Sequence, residues 1–230
     1  MKIKRKIEKM NSTSASMRAY EVLKEKILKN EFSSPQNLKE NVLTEELNLS
    51  RTPIRESLIM LMKEDLLMKD GRGGFRIKQF SLKDINDLYE FRELVEIATA
   101  SLIVSKITDE NIEMLFDVLK EIWAIVKKGK APEAFAKGVQ FHRQIVNITG
   151  NSILIEVMNN CYDKLTLVGW SCQRLSMCKK SCEEHKEILA ALKEKNVKKL
   201  QEKFHNHILN AKSRAINILT SDTEKWFFVP

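Results

Sequence analysis

No run in these 230 residues approaches the roughly 20 consecutive apolar side chains that a membrane-spanning helix needs. The hydrophobic content of 43% and mean hydropathy of −0.31 are those of a soluble globular protein, so no membrane partner is expected. The basic opening, Met1 to Lys9, runs into the polar Asn11-Ser-Thr-Ser14 and so lacks the apolar core of a signal peptide. Residues 1–16 are therefore expected to be a flexible basic arm of a cytoplasmic protein. Cysteine is sparse: Cys161, Cys172, Cys178 and Cys182 crowd into one late segment without CxxC spacing. That excludes a disulfide framework and fits a reducing compartment. Cys178 and Cys182 can share a helix face, but nothing marks either as activated, which favours ordinary packing over a redox sensor. HExxH, P-loop and nucleophile-elbow motifs are all missing, so the chain is not expected to be an enzyme. Glycine is scarce at seven residues, and no strand pattern, repeat or low-complexity segment follows Phe80.

What the chain has in excess is positive charge, +8 overall, and it is uneven. Up to Phe80 there are 17 Lys/Arg against 11 Asp/Glu, whereas the remaining 150 residues hold 22 against 20. A positive field confined to the first third suits a polyanionic partner, although plain solubility would give the same count.

The same third has a distinct pattern. Met17, Tyr20, Leu23 and Ile27 recur at steps of three and four, predicting an amphipathic helix over 17–29. Val42, Leu43, Glu46 and Leu47 predict a short second helix ending near Asn48. Ser50 is placed to N-cap a third, with Pro53 in its first turn and Ile54, Leu58, Leu61 and Met62 facing inward. Residues 66–69 and 75–78 are short extended candidates around Asp70-Gly-Arg-Gly-Gly74. Three helices and a hairpin make a winged helix-turn-helix over 17–80.

Beyond Phe80 the pattern is helical throughout. Ser81 and Asp84 begin a long helix, Thr108-Asp-Glu caps another, Pro132 opens a third, Ser152 a fourth, Ser181-x-x-Glu184 caps the next, and 197–219 make the last. The fold class is mainly α, with an antiparallel six- to seven-helix bundle over 81–220 and a C-terminal tail over 221–230.

Within Leu49-Ser-Arg-Thr-Pro-Ile-Arg-Glu-Ser-Leu58, the inward Ile54 and Leu58 leave Arg51, Thr52 and Arg55 on other faces of the helix start. A recognition helix enters the major groove by such an end, where N–H groups favour phosphate and arginine forks pair with guanine. A capped surface helix with solvated arginines would show the same composition. This run, with Leu38-x-Glu40-x-x-Leu43-x-Glu45-x-Leu47 before it and Gly-Arg-Gly-Gly-Phe-Arg after it, resembles the winged helix of GntR-family regulators. The resemblance implies that Ser50, Arg51, Thr52 and Arg55 contact double-stranded operator DNA and that Arg72 and Gly73 form a wing tip near the minor groove. Asn48 and Asp65 stand where that family often has glycine; both residue types tolerate left-handed backbone.

Four histidines, His142, His185, His205 and His207, fall on three predicted helices of the bundle. Spacing alone leaves them unrelated. Phe141-His142-Arg-x-Ile145, Thr149-Gly-Asn151, Glu184-His185-x-x-Ile188 and His207-Ile208 resemble the FCD domain of the FadR-like branch of the same family. There, three histidines and an aspartate hold a divalent metal, often zinc or nickel, beside a small carboxylate effector. The resemblance assigns His142, His185 and His207 to the metal and leaves His205 off the motif and exposed. The aspartate has no counterpart, because Gly138 occupies its position. Water or an effector carboxylate would then complete the coordination. Arg92 matches an arginine suited to an organic acid, and equally could pair with Glu96 one turn away.

These readings describe a ligand-responsive transcriptional regulator, expected to be a homodimer on a palindromic operator and a repressor modulated by a small organic acid. The alternative is a metal-sensing helical regulator or scaffold with no small-molecule effector.

Overall fold

The computed structural model describes residues 14–32, 38–71, 73–172 and 174–221, and the chain divides into two units, Met1–Gln79 and Phe80–Pro230. The proposed basic arm, apart from its last three residues, and the apolar tail around Trp226 lie outside the described residues, as does Arg72.

In the first unit, α1 (Ala15–Leu28) begins where the Ser14 hydroxyl accepts from the backbone N–H of Met17, two residues earlier than the periodicity suggests. Its inner face is Ala19, Val22, Leu23 and Ile27; Met17 is exposed and Tyr20 only half-buried. Tyr20 instead turns its hydroxyl toward Glu64, beside Lys24, so the polar end of the ring reaches a charged rim. In α2 (Glu40–Leu47), Leu43 and Leu47 are buried while Val42 is exposed, because a helix of two turns can direct only one narrow stripe inward. α3 (Arg51–Lys63) buries Ile54, Ser57, Leu58 and Leu61 against α1 and α2, and Met62 stays partly exposed.

The turns between these elements use left-handed backbone at Asn48 (φ 53°) and Asp65 (φ 63°). Both side chains are short and polar, and they take the geometry without glycine. β1 (Leu67–Lys69) pairs antiparallel with β2 (Phe75–Ile77), with Leu67 opposite Ile77 and Lys69 opposite Phe75. Phe75 also bridges to Leu38, tying the hairpin back to the start of α2. Asp70 closes the loop by accepting from the Gly74 N–H at 2.8 Å.

Among its described residues the second unit holds six helices: α4 (Leu82–Lys106), α5 (Asp109–Lys127), α6 (Ala131–Asn147), α7 (Ser152–Cys172), α8 (Leu175–Lys193) and α9 (Val197–Ser221). Reciprocal capping boxes at Ser81/Asp84 and Thr108/Asn111 start α4 and α5 where expected. α4 packs chiefly on α9, α6 on both α5 and α7, and α8 on α5 and α9. Ser181 and Glu184 do not begin a helix. α8 starts at Leu175, so both lie inside it, and Glu184 uses its carboxylate on α9 instead of on a helix N-terminus.

The inner face of α4 departs most from an apolar stripe. Ile85, Tyr89, Arg92, Glu96, Thr99 and Ile103 are buried, while Leu94 is 72% exposed. An arginine and a glutamate thus occupy core positions, which requires that they be paired.

Candidate functional site

At the start of α3, Arg51, Thr52 and Arg55 are exposed while Ile54 and Leu58 anchor the helix beneath them. Ser50 sits at the N-cap in extended geometry, but its side chain makes no capping hydrogen bond. The Ser50 side chain thus leaves the first-turn N–H groups uncapped beside two exposed arginines, an arrangement suited to phosphate. Gly73 takes φ 87° in the hairpin loop, a conformation costly for a residue with a Cβ.

In the second unit, α6, α8 and α9 bring His142, His185 and His207 to one point. All three are buried. His142 Nε2 lies 3.1 Å from His185 Nε2 and 3.0 Å from His207 Nε2. Each histidine occupies the inward stripe of its helix, beside Gly138 and Ile145 on α6, Cys182 and Leu189 on α8, and Phe204 and Ala211 on α9. His205 lies elsewhere, half-exposed and hydrogen-bonded to Glu93.

Two carboxylates set how these rings are protonated. Glu96 Oε2 faces His142 Nδ1 at 2.9 Å, and Glu184 Oε2 faces His207 Nδ1 at 2.7 Å. An ionised carboxylate only accepts, so each Nδ1 carries its ring's proton and each Nε2 presents a bare lone pair. Those two lone pairs meet at 3.0 Å. They repel unless a cation lies among them. His185 adds a third Nε2, and its Nδ1 is buried without a hydrogen-bond partner among the described residues. Burial, first of all, lowers the pKa of all three histidines, with the neighbouring Arg92 charge acting in the same direction. Three neutral imidazoles directed at one point fit a divalent transition ion such as zinc.

The carboxylates are themselves held. Arg214 donates to both oxygens of Glu184, at 2.7 and 2.6 Å, and to Ser181 Oγ at 3.0 Å. Burial works to raise the Glu184 carboxyl, but the hydrogen bonds from Arg214 and His207 outweigh it and hold its pKa at about 2. Glu96 Oε1 accepts from Arg92 Nε at 2.6 Å and from the Tyr162 hydroxyl at 3.0 Å. The two roles weighed for Arg92 are thus compatible. Nε pairs with Glu96, while the buried Nη2 has no partner among the described residues, and Arg92 lines a cavity of about 30 Å³ beside the histidines. Gly138 lines the same cavity; a Cβ there would lie 3.2 Å from His185 Cε1.

The described cysteines carry no sign of activation. Burial pushes the Cys161 and Cys182 thiols up to about 12 and Cys178 to about 11, which keeps them protonated at neutral pH.

The first unit matches the profile of the bacterial regulatory proteins of the gntR family over residues 15–77, and the second matches the FCD domain over 87–210, more than half of the chain. The chain belongs to the GntR family. Its second unit is an FCD domain. It is 26% identical over 196 residues to the uncharacterized HTH-type transcriptional regulator YdhC of Bacillus subtilis, covering 83% of this chain and 84% of that one. It is 24% identical over 210 residues to the HTH-type transcriptional repressor GlaR of Escherichia coli, covering 86% and 94%. E. coli McbR/YncC shares the fold, with a TM-score of 0.78 over 89% of this chain and 98% of its own at 18% identity. YdhC and GlaR are named as regulators, and this GntR/FCD protein is likewise a DNA-binding transcriptional regulator and not an enzyme.

Reading the sequence for this FCD domain finds the three histidines but misses the groups that orient them. Glu96 enters only as a partner for Arg92, and Glu184 only as a helix cap. The signal for Glu96 was present: positions 85, 89, 92, 96, 99 and 103 form one helical face, with both charged residues on it. No comparable signal marks Arg214, whose partner lies 30 residues away on another helix.

Proposed function

We propose that this protein is a cytoplasmic, ligand-responsive repressor that binds a palindromic operator as a homodimer. Arg51, Thr52 and Arg55 read the major groove, Ser50 and the open first turn of α3 hold phosphate, and Arg72 with Gly73 approaches the minor groove. The sensor holds a divalent transition metal, zinc or nickel, on His142, His185 and His207. Bound there, the ion would supply positive charge and an open coordination position for the carboxylate of a small organic acid. Glu96 and Glu184 fix the ring tautomers, and Arg92 Nη2 supplies a second anchor for the acid.

The observation that carries the sensor reading is the approach of the His142 and His207 Nε2 atoms to 3.0 Å on rings whose Nδ1 protons face carboxylates, with the buried His185 Nε2 3.1 Å from His142 Nε2. Repression is supported by the naming of relatives such as GlaR as repressors. Metal analysis of protein purified without a histidine tag tests the site. About one ion per chain is expected in the wild type and none in His185→Ala; equal emptiness of both would overturn it. Selection from random duplexes, with and without chelator, tests the DNA reading, which requires enrichment of a palindrome.

A further inference from the structure

The cavity beside the histidines has two chemically different ends. One carries the three imidazoles and the free Arg92 Nη2. The rest is walled by Ile122, Ala134, Phe135, Val139 and Ala211, with the protonated thiols of Cys178 and Cys182. Among the described lining residues the only hydroxyl is that of Ser181, whose oxygen accepts from Arg214 and whose O–H is the one neutral donor on this wall. Phe135 is fixed in place. Its ring fills the notch left by Gly169 on α7, where a Cβ would fall 2.0 Å from Phe135 Cδ1. The wall is therefore apolar and backed by a neighbouring helix.

Resting on the reading above that an organic acid occupies this site, we infer that the acid is a short-chain aliphatic monocarboxylate and that the apolar wall selects against hydroxylated acids and dicarboxylates. The carboxylate has partners at the polar end. A hydroxyl or second carboxylate on the tail finds at most the one Ser181 hydroxyl and otherwise meets carbon and thiol, so it loses most of its water without replacement. The centre of a water-sized sphere has only about 30 Å³ in which to move inside the cavity, so only a short tail enters without displacing the wall. Gly138 keeps that space open beside His185, because it places no side chain there.

The test is calorimetric titration of full-length, tag-free, zinc-loaded protein with propionate and butyrate, against 3-hydroxybutyrate and succinate, whose extra polar groups lie out on the tail. The aliphatic acids should bind at least about tenfold more tightly than their hydroxylated counterparts, the scale on which an apolar pocket discriminates against an added hydroxyl. Cys182→Ser, which puts a hydroxyl into the wall at nearly constant volume, should shrink that ratio while leaving zinc content unchanged. Equal or tighter binding of 3-hydroxybutyrate than of butyrate by the wild type would overturn the inference while leaving the acid-binding reading intact. If no acid of either kind binds protein that demonstrably holds zinc, the acid-binding reading falls and the inference with it.

Discussion

Glu96 is the residue on which most of the sensor's polar interior depends, since one carboxylate accepts from Arg92, Tyr162 and His142. Replacing it by Gln removes the negative charge opposite a buried guanidinium. Breaking such a pair from one side costs about 3–5 kcal/mol, so Glu96→Gln should lower stability by that order in chemical denaturation. A variant as stable as the wild type would show that Arg92 is compensated elsewhere. Gly138 predicts a gain. Its Cβ position lies beside His185, so Gly138→Asp places a carboxylate next to the triad. That variant should hold zinc more tightly against a competing chelator and lose its dependence on added acid; weaker retention would mean that the side chain displaces His185 instead. Acid should destabilise the metal-free protein through the three histidines. Burial lowers their folded pKa values below the ordinary 6.5 of the unfolded chain, so the unfolded state binds more protons as pH falls. Stability is therefore full above about pH 6.5 and declines below it, and His207→Gln should flatten that decline in urea titrations at pH 7 and 5.

Among the elements, α3 would, on the proposed DNA reading, separate stability from recognition along a single helix. Leu58 is fully buried, and truncating such a side chain to Ala costs about 2–5 kcal/mol. Arg55 is exposed on the same helix, so Arg55→Ala should leave the melting temperature nearly unchanged while weakening operator affinity by about 1–3 kcal/mol. If the two variants exchanged these effects, α3 would not be the reading helix. The elements also show what could be read in advance. α3, the hairpin, and the starts of α4 and α5 follow local signals: a proline in the first turn, glycines at a loop, capping boxes. The inward face of α1 was misjudged by part of a turn, because Met17 and Tyr20 are apolar enough to count in a periodicity although neither is buried. The start of α8 was misplaced because Ser181 and Glu184 satisfy the capping pattern while answering to Arg214. A short polar motif does not show whether its partner is its own backbone or a distant helix.

At the scale of the whole molecule, two units of different chemistry share one chain, and the positive charge follows the division. A ligand in the second unit can control DNA affinity only by as much as it distinguishes the DNA-competent form from the other. The histidines could be listed from sequence, but their convergence depends on α6, α8 and α9 packing at one register, which no local pattern encodes. The most direct measurement is the affinity of the metal-loaded, tag-free protein for its selected operator as a short-chain carboxylate is added, beside His185→Ala under the same conditions. Wild-type affinity should fall as the acid rises, whereas His185→Ala should bind DNA without responding. An identical response in both proteins, or none in either, would contradict control of DNA binding through the histidine site.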